Sequence, residues 1–230
     1  MVERVKTGIH GLDELIQGGL PETSVTLVSG GPGTGKTLFC SQFLWTGLMN
    51  GENCLFITME EEVEDIIDDA AEFGWDFRKY IDEGRFKIDY MNPFRVDTGF
   101  EDRIRNKIED VNADRIVIDS TSVMGMYADS KGKVRRQLYD LIKMVKKHSV
   151  TCIMTAEIPK GNDMGMSRYG VEEFVSDGVI MLKGLGIGGE MGRKLIIQKM
   201  RKTKFEGDIY PLTFKEDGLH VEEADTGIDI

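Results

Sequence analysis

Along this chain, short apolar runs rich in β-branched residues alternate with longer stretches whose apolar residues recur every three or four positions. The short runs are 24–29 (SVTLVS), 53–59 (NCLFITM), Phe86–Tyr90, Arg115–Asp119 (RIVID) and 150–155 (VTCIMT). Runs of this length and composition predict buried strands. Between them lie helix-period segments. In 37–49 the apolar positions are Leu38, Phe39, Phe43, Leu44 and Leu48. In 63–73 they are Val63, Ile66, Ile67, Ala70 and Ala71, and Phe100–Val111 and 134–147 follow the same rule. Repeated strand–helix units predict an α/β fold with a mostly parallel sheet, linked by right-handed crossovers. The C-terminal part differs: 178–183, 193–201, 210–215 and 219–222 are short strand candidates separated by turns containing Gly and Asp. They predict antiparallel strands that extend one sheet edge. No linker, low-complexity tract or internal repeat interrupts the pattern, so residues 1–230 read as a single domain.

Composition adds exclusions. The 230 residues are 40% hydrophobic and 30% charged, with a mean hydropathy of −0.25, which excludes a disordered or collagen-like chain. No apolar run reaches the ~18–20 residues of a membrane span, and the first residues lack a signal-peptide core. The expectation is a cytoplasmic protein without membrane contact. Cys40, Cys54 and Cys152 fall within apolar runs and read as reduced core residues. His10, His148 and His220 are isolated in the sequence, so metal-ligand spacing is absent.

The net charge of −11 disfavours nonspecific nucleic-acid binding, which depends on Lys and Arg displacing counterions. Charge is unevenly spread, however. Residues 131–147 carry seven basic side chains to one acidic, as do residues 183–204. Such stretches suit phosphates or an acidic neighbour.

One motif carries chemistry. Gly30, Gly31, Pro32, Gly33, Thr34, Gly35, Lys36 and Thr37 read GGPGTGKT and satisfy the phosphate-loop pattern GxxxxGK[ST], after a predicted strand and at the start of a predicted helix. Its glycines let successive N–H groups turn inward as an anion nest, strengthened by the helix N-terminus. Lys36 then serves the β- and γ-phosphates, and the Thr37 hydroxyl serves Mg²⁺. A second acidic group is needed near that ion, and Asp119 closes the apolar run RIVID where such a group belongs. The run Glu60, Glu61 and Glu62 directly follows the strand LFITM. A carboxylate at a strand's C-terminal end faces the crevice where α/β sheets bind ligands, and there it can activate water. Glu60, supported by Glu61, is the candidate; Glu62 and Glu64 fit the acidic first turn of a helix.

With these motifs in order, the chain resembles the KaiC branch of the RecA superfamily of ATPases. TGIHGLDELIQGGLP (7–21) resembles the segment before the phosphate loop, and LFITMEEEVEDIIDDAAEFGWDF the strand, glutamate pair and helix that follow it. YGVEEFVSDGVIML (169–182) and KMRKTKFEGDIYPLTF (199–214) resemble the end of a KaiC domain. The resemblance implies a RecA-like P-loop core and a homo-oligomeric, hexameric ring with ATP between neighbours. It implies the catalytic glutamate role for Glu60, with Glu61 beside it. Its K-x-R-x-T element matches Lys199, Arg201 and Thr203, and implies that Lys199 and Arg201 reach the neighbouring subunit's γ-phosphate. KaiC has two such domains in tandem where this chain has one. Where the autophosphorylated half has adjacent Ser and Thr, this chain has Glu173 and Phe174, which argues against autokinase activity.

The leading expectation is a Mg²⁺-dependent ATPase that changes its contacts with a protein partner according to nucleotide state. One alternative is a recombination protein of the same core, binding single-stranded DNA through the loops after Asp119 and Thr155, with Lys131, Lys133, Lys160 and Arg168 on the backbone. Against it stand the acidic charge and the lack of an aromatic stacking platform. The other alternative is a nonenzymatic module in which ATP only orders the ring. Met124, Met126, Met164 and Met166, in the same two loops, are candidates for adaptable partner contacts.

Overall fold

The computed structural model describes residues 2–92, 99–125, 130–159, 161, 165–187 and 190–223. Its centre is a nine-stranded sheet. The parallel part holds β3 (Val25–Gly30), β4 (Cys54–Thr58), β5 (Phe86–Tyr90), β6 (Arg115–Asp119), β7 (Thr151–Glu157) and β8 (Gly178–Ile187). Antiparallel β9 (Glu190–Met200), β10 (Ile209–Lys215) and β11 (Gly218–Val221) extend the β8 edge, giving the order β11-β10-β9-β8-β3-β7-β6-β4-β5. A small ribbon of β1 (Arg4–Val5) and β2 (Leu20–Pro21) stands apart.

Two apolar layers cover the sheet. On one side α1 (Leu12–Leu15), α2 (Lys36–Met49), α3 (Val63–Ala71) and α4 (Phe77–Asp82) bury Leu12, Phe39, Phe43, Leu44, Ile66 and Phe77 against Phe56 and Val117. On the other, α5 (Phe100–Val111) and α6 (Lys131–Lys147) bury Ile104, Ile108, Leu138 and Leu141 against Leu27, Leu55 and Ile118. Strands covered on both faces must be apolar throughout, and β3, β4 and β6 are buried at every position.

The predicted strands and helices are present, with ends shifted by a few residues. α6 starts at Lys131 rather than residue 134, because Ser130 caps it by accepting from the Lys133 N–H at 3.3 Å. The pattern gave no sign of α4, a short helix capped by Asp76, or of the one-turn α7 (Glu172–Val175). The C-terminal strands also need one correction. β8 is antiparallel to β9 but parallel to β3, because β8 enters the sheet on the far side of β3 from β7 and in the same direction. Cys40, Cys54 and Cys152 are buried free thiols, as expected. Among the described residues, no helix is long and apolar enough to cross a membrane.

A buried cation ties this scaffold together. Arg115, 1% exposed at the start of β6, donates to both Glu52 carboxylate oxygens and, through Nη1, to the carbonyls of Lys6 at 2.7 Å and Phe43 at 2.8 Å. Its guanidinium lies 4.7 Å from the Phe43 ring centroid. Gly47 makes room for it, since a Cβ there would sit 2.6 Å from Arg115 Nε. Removing Arg115 empties a packed site and leaves the Lys6 and Phe43 carbonyls without their donor and the part-exposed Glu52 without its cation, together costing about 3 kcal/mol. Arg115→Ala should therefore lower the urea midpoint by an amount equivalent to about 3 kcal/mol. An unchanged midpoint would show that the network adds no net stability.

Candidate functional site

The phosphate loop leaves the C-terminal end of β3 and opens α2, as its motif requires. Gly35, before the first helical turn, has φ 97° and would place a Cβ 2.6 Å from the Phe214 ring, so only glycine fits there. Lys36 Nζ donates to the loop carbonyls of Gly30 at 3.2 Å and Gly31 at 3.1 Å. That holds the ammonium inside the loop. Thr34 Oγ1 donates to the Gly31 carbonyl at 2.8 Å and braces the turn.

The ends of two strands, β4 and β6, bring carboxylates to Thr37. Its hydroxyl lies 3.1 Å from Asp119 Oδ2 and 3.2 Å from Glu61 Oε1, so one proton is shared between two acids. The other Asp119 oxygen accepts from the Thr155 hydroxyl at the corresponding level of β7. Glu60 accepts from the Ser120 hydroxyl. The Met59 N–H donates to the Asp119 carbonyl at 2.7 Å, and the Glu61 N–H donates to Thr58 Oγ1 at 3.1 Å. The glutamates therefore sit on a backbone tied to both β4 and β6. The Asp119–Ser120 peptide is cis.

Crowding of acids in a partly dehydrated crevice sets the electrostatics. Desolvation is the largest effect on Asp119 and raises its pKa, against the hydroxyls of Thr155 and Thr37, which lower it. Glu61 is raised by desolvation and then by the charge of Asp119. Glu60 is raised by desolvation and by Asp119 and Glu157, partly offset by the Ser120 hydrogen bond. Such a site favours a cation, and the donors Thr37, Asp119 and Glu61 are all oxygen, the chemistry that suits Mg²⁺.

The structure thus gathers Thr37, Asp119, Glu60 and Glu61 around the loop of residues 30–37. Glu62 and Glu64 do not join them: Glu62 precedes the first turn of α3, and Glu64 pairs with exposed Arg78 at 2.6 Å. Lys199 and Arg201 lie elsewhere. Gly30 is level with Leu182 and Leu195, whereas Lys199 is level with Val179, near the beginning of the parallel strands. At ~3.3 Å per residue, four residues along β9 put Lys199 roughly 13 Å below that level. Lys199 Nζ donates to the carbonyls of Glu173 at 2.9 Å and Ser176 at 2.5 Å. Arg201 Nη1 lies 3.3 Å from Asp177 Oδ1, and Lys146 Nζ lies 2.6 Å from Asp177 Oδ2. Burial alone would raise the Asp177 pKa, but hydrogen bonds from Lys146 and the Val25 N–H outweigh it and hold the carboxyl low.

Several participants carried no sequence signal. Thr155 and Ser120 are ordinary strand-end hydroxyls, and only the pairing of β6 with β7 shows which carboxylate Thr155 serves. Arg193 Nε donates to the Gly33 carbonyl at 3.3 Å, and its guanidinium lies 3.9 Å from the centroid of Phe214, the ring that touches Gly35. The two residues come from β9 and β10 and close over the loop. Of the loop candidates for DNA or partner contact, Met126, Lys160 and Met164 lie outside the described residues. Arg168 is engaged with Glu157 at 2.7 Å, Lys131 opens α6, and Met124 is buried.

One expectation is corrected. His10 and His220, isolated in the sequence, stack with ring centroids 4.2 Å apart. The Val221 N–H donates to the His10 carbonyl at 2.8 Å, so the contact follows from β11 closing on the N-terminal segment.

Comparison with known proteins agrees with this geometry. Residues 5–226 match the family model described as "ATPase: KaiC". A UPF0273 protein of Pyrococcus furiosus is 37% identical over 96% of this chain and 94% of its own length. The circadian clock oscillator protein KaiC of Synechococcus elongatus is 40% identical over 96% of this chain, which spans only 44% of that protein. A crystal structure of a KaiC-like protein from the hyperthermophilic archaeon Pyrococcus horikoshii superposes with a TM-score of 0.87 at 40% identity, covering 97% of this chain and all of that one. The fold is RecA-like and its site is built for a nucleotide: the chain belongs to the KaiC family of ATPases.

Proposed function

We propose that this protein hydrolyses ATP, that Mg²⁺ is held through Thr37 and Asp119, and that residues 1–230 act as one unit in the cytoplasm. The observation that carries the reading is Thr37 Oγ1 set between Asp119 at 3.1 Å and Glu61 at 3.2 Å, at the mouth of the loop that holds Lys36. In this reading the backbone N–H groups of residues 30–37 and the Lys36 ammonium bind the triphosphate. Mg²⁺, when bound, neutralises charge on the β- and γ-phosphates. Glu60, at the crevice rim and oriented by Ser120, takes the proton of the attacking water, and Glu61, which accepts from the Thr37 hydroxyl, supports it. The raised pKa of Glu60 suits a general base, which works best when its pKa approaches the operating pH.

The active subunits form a homo-oligomeric ring, which we take to be hexameric. Lys199 and Arg201 lie well away from their own chain's phosphate loop, which suits a contact with the γ-phosphate of an adjacent subunit. Phe174 (62% exposed) and Tyr139 (56% exposed) flank Arg201, together with Arg135 and Arg136. Large apolar groups beside cations suit a face that a neighbouring subunit covers. A protein partner that senses nucleotide state completes the proposal; nucleic acid is not favoured, and nothing calls for autokinase activity.

Lys36→Ala should weaken Mg²⁺·ATP binding by about 2–5 kcal/mol, as loss of a close charge partner does, while the fold stays intact. Calorimetry giving equal affinities would refute the assignment. Glu60→Gln should keep nucleotide binding but slow phosphate release at least ~10²-fold, with a milder loss in Glu61→Gln. The base must be ionised to act, so activity should fall as pH drops through the pKa of Glu60, which burial raises above the ordinary glutamate value. Wild-type turnover in Glu60→Gln would move the role to Glu61 or end the enzymatic reading.

The shared site has a direct test. Arg201→Ala should lose ~10³-fold or more in rate, as loss of an arginine finger does, and should assemble less well with ATP. Mixing inactive Glu60→Gln subunits with inactive Arg201→Ala subunits should restore partial activity, because some interfaces then pair an intact glutamate with an intact arginine. Exchanged rings that stay inactive would show that Arg201 does not act across the interface.

A further inference from the structure

Away from the nucleotide site, the two ends of the chain bring three metal-type ligands together. His10, just before α1, and His220, on β11, are two of only three histidines in the protein. Asp217, in the turn between β10 and β11, reaches both of them. Its Oδ2 lies 3.2 Å from His10 Nε2 and its Oδ1 lies 2.7 Å from His220 Nε2. One ligand atom from each residue can be chosen so that all three lie within 4.8 Å of one another. Among the described residues, no other group of three or more His, Cys, Asp or Glu side chains converges in this way.

From this geometry we propose a binding site for a Zn²⁺-class divalent ion, formed by His10, Asp217 and His220, that clamps the N-terminal segment to the C-terminal hairpin. The donor set decides the class. Two imidazoles and one carboxylate suit Zn²⁺, Co²⁺ or Ni²⁺, whereas Mg²⁺ and Ca²⁺ take oxygen ligands. At metal–ligand distances near 2.1 Å, tetrahedral ligands stand ~3.4 Å apart, so an ion here replaces the direct contacts that Asp217 makes through its two different oxygens, at 3.2 Å and 2.7 Å, after a small outward shift. The rings stack at 22°, which sets their in-plane lone pairs nearly parallel, so the more exposed His10 ring has to rotate out of the stack for both nitrogens to face one ion. Three protein ligands leave a position for water, and the side chains of His10 and Asp217 are 56% and 60% exposed. Such a site exchanges its ion readily.

The backbone is already set for the clamp. His10 and His220 form an isolated β-bridge, reinforced by the Val221 N–H donating to the His10 carbonyl. Phe214, which lies against Gly35 of the phosphate loop, belongs to the same hairpin as Asp217. The clamp is therefore continuous with the elements that close over the nucleotide.

The test uses full-length, tag-free, metal-stripped protein without nucleotide. Zn²⁺ should bind with one ion per chain, and Co²⁺ should give a visible absorption band that saturates at one equivalent. Excess Mg²⁺ should displace neither ion. His10→Gln and Asp217→Asn, both at exposed positions, should each weaken Zn²⁺ binding at least ~10-fold, because losing a ligand costs no less than losing an outer-shell partner. Lys36→Ala and Asp119→Asn should bind Zn²⁺ as the wild type does, which separates this site from the nucleotide site. Zn²⁺ should raise Tm in the wild type and not in His10→Gln, since binding to the folded state stabilises it. The proposal is overturned by any of three results: no stoichiometric binding, equal affinity in a His10→Gln/His220→Gln double variant, or binding without a rise in Tm.

Discussion

The position of the Asp119 carboxylate is the constraint on which the rest of the site depends. It is buried at the end of β6, where desolvation penalises its charge, and hydroxyls from two other elements meet its two oxygens. β7 lies between β3 and β6 in the sheet, so Thr37 must reach across the end of β7 to touch Asp119. That reach works only if α2 starts directly after the loop and if β3, β7, β6 and β4 end at nearly the same level. The parallel pairing supplies that alignment, with Thr58 opposite Asp119 and Val28 opposite Thr155. Displacing one strand by a residue would move its acid or hydroxyl out of contact.

Gathering Asp119, Glu60, Glu61 and Glu157 near one loop concentrates negative charge in a protein already at −11. Hydroxyls from Thr37, Thr155 and Ser120 satisfy the carboxylates without neutralising them, and Arg168 holds Glu157. Lys199 and Arg201 are kept apart from that charge. Asp177 gathers Lys146 and Arg201 near the start of the parallel strands, and Lys199 donates to carbonyls beside them. Under the proposed function, acids and cations at different levels of one subunit meet only when subunits pack head to tail. Head-to-tail contacts of this kind close into rings when the rotation allows.

The chain ends are the third feature. Arg115 draws the backbone of residue 6 onto α2, and the bridge from His10 to β11 joins the same segment to the last strand. These polar bonds join residues remote along the chain, and they add to the burial of Ile9, Leu12 and Ile16 in the core.

Much of this was legible in the residues themselves. The loop of residues 30–37 carries its chemistry in its own spacing, because a phosphate nest is a local backbone structure. Asp119 and Glu60 were legible because each closes an apolar run, and in a parallel sheet those ends share one crevice. The apolar periods likewise placed the strands and helices, since burial on two faces or one stripe leaves a direct trace in the residue order. Other features depend on which strands become neighbours, and pairing between distant segments leaves no local trace. That holds for Thr155 beneath Asp119, for Arg193 and Phe214 over the loop, for β8 running parallel to β3, and for His10 against His220. By itself the sequence determined the elements, the phosphate loop and the acids at the strand ends, all set by short-range spacing and burial. Only the tertiary structure decided that Lys199 and Arg201 stand far from their own loop and that two isolated histidines meet, because sheet order and chain closure bring together residues that are remote along the chain.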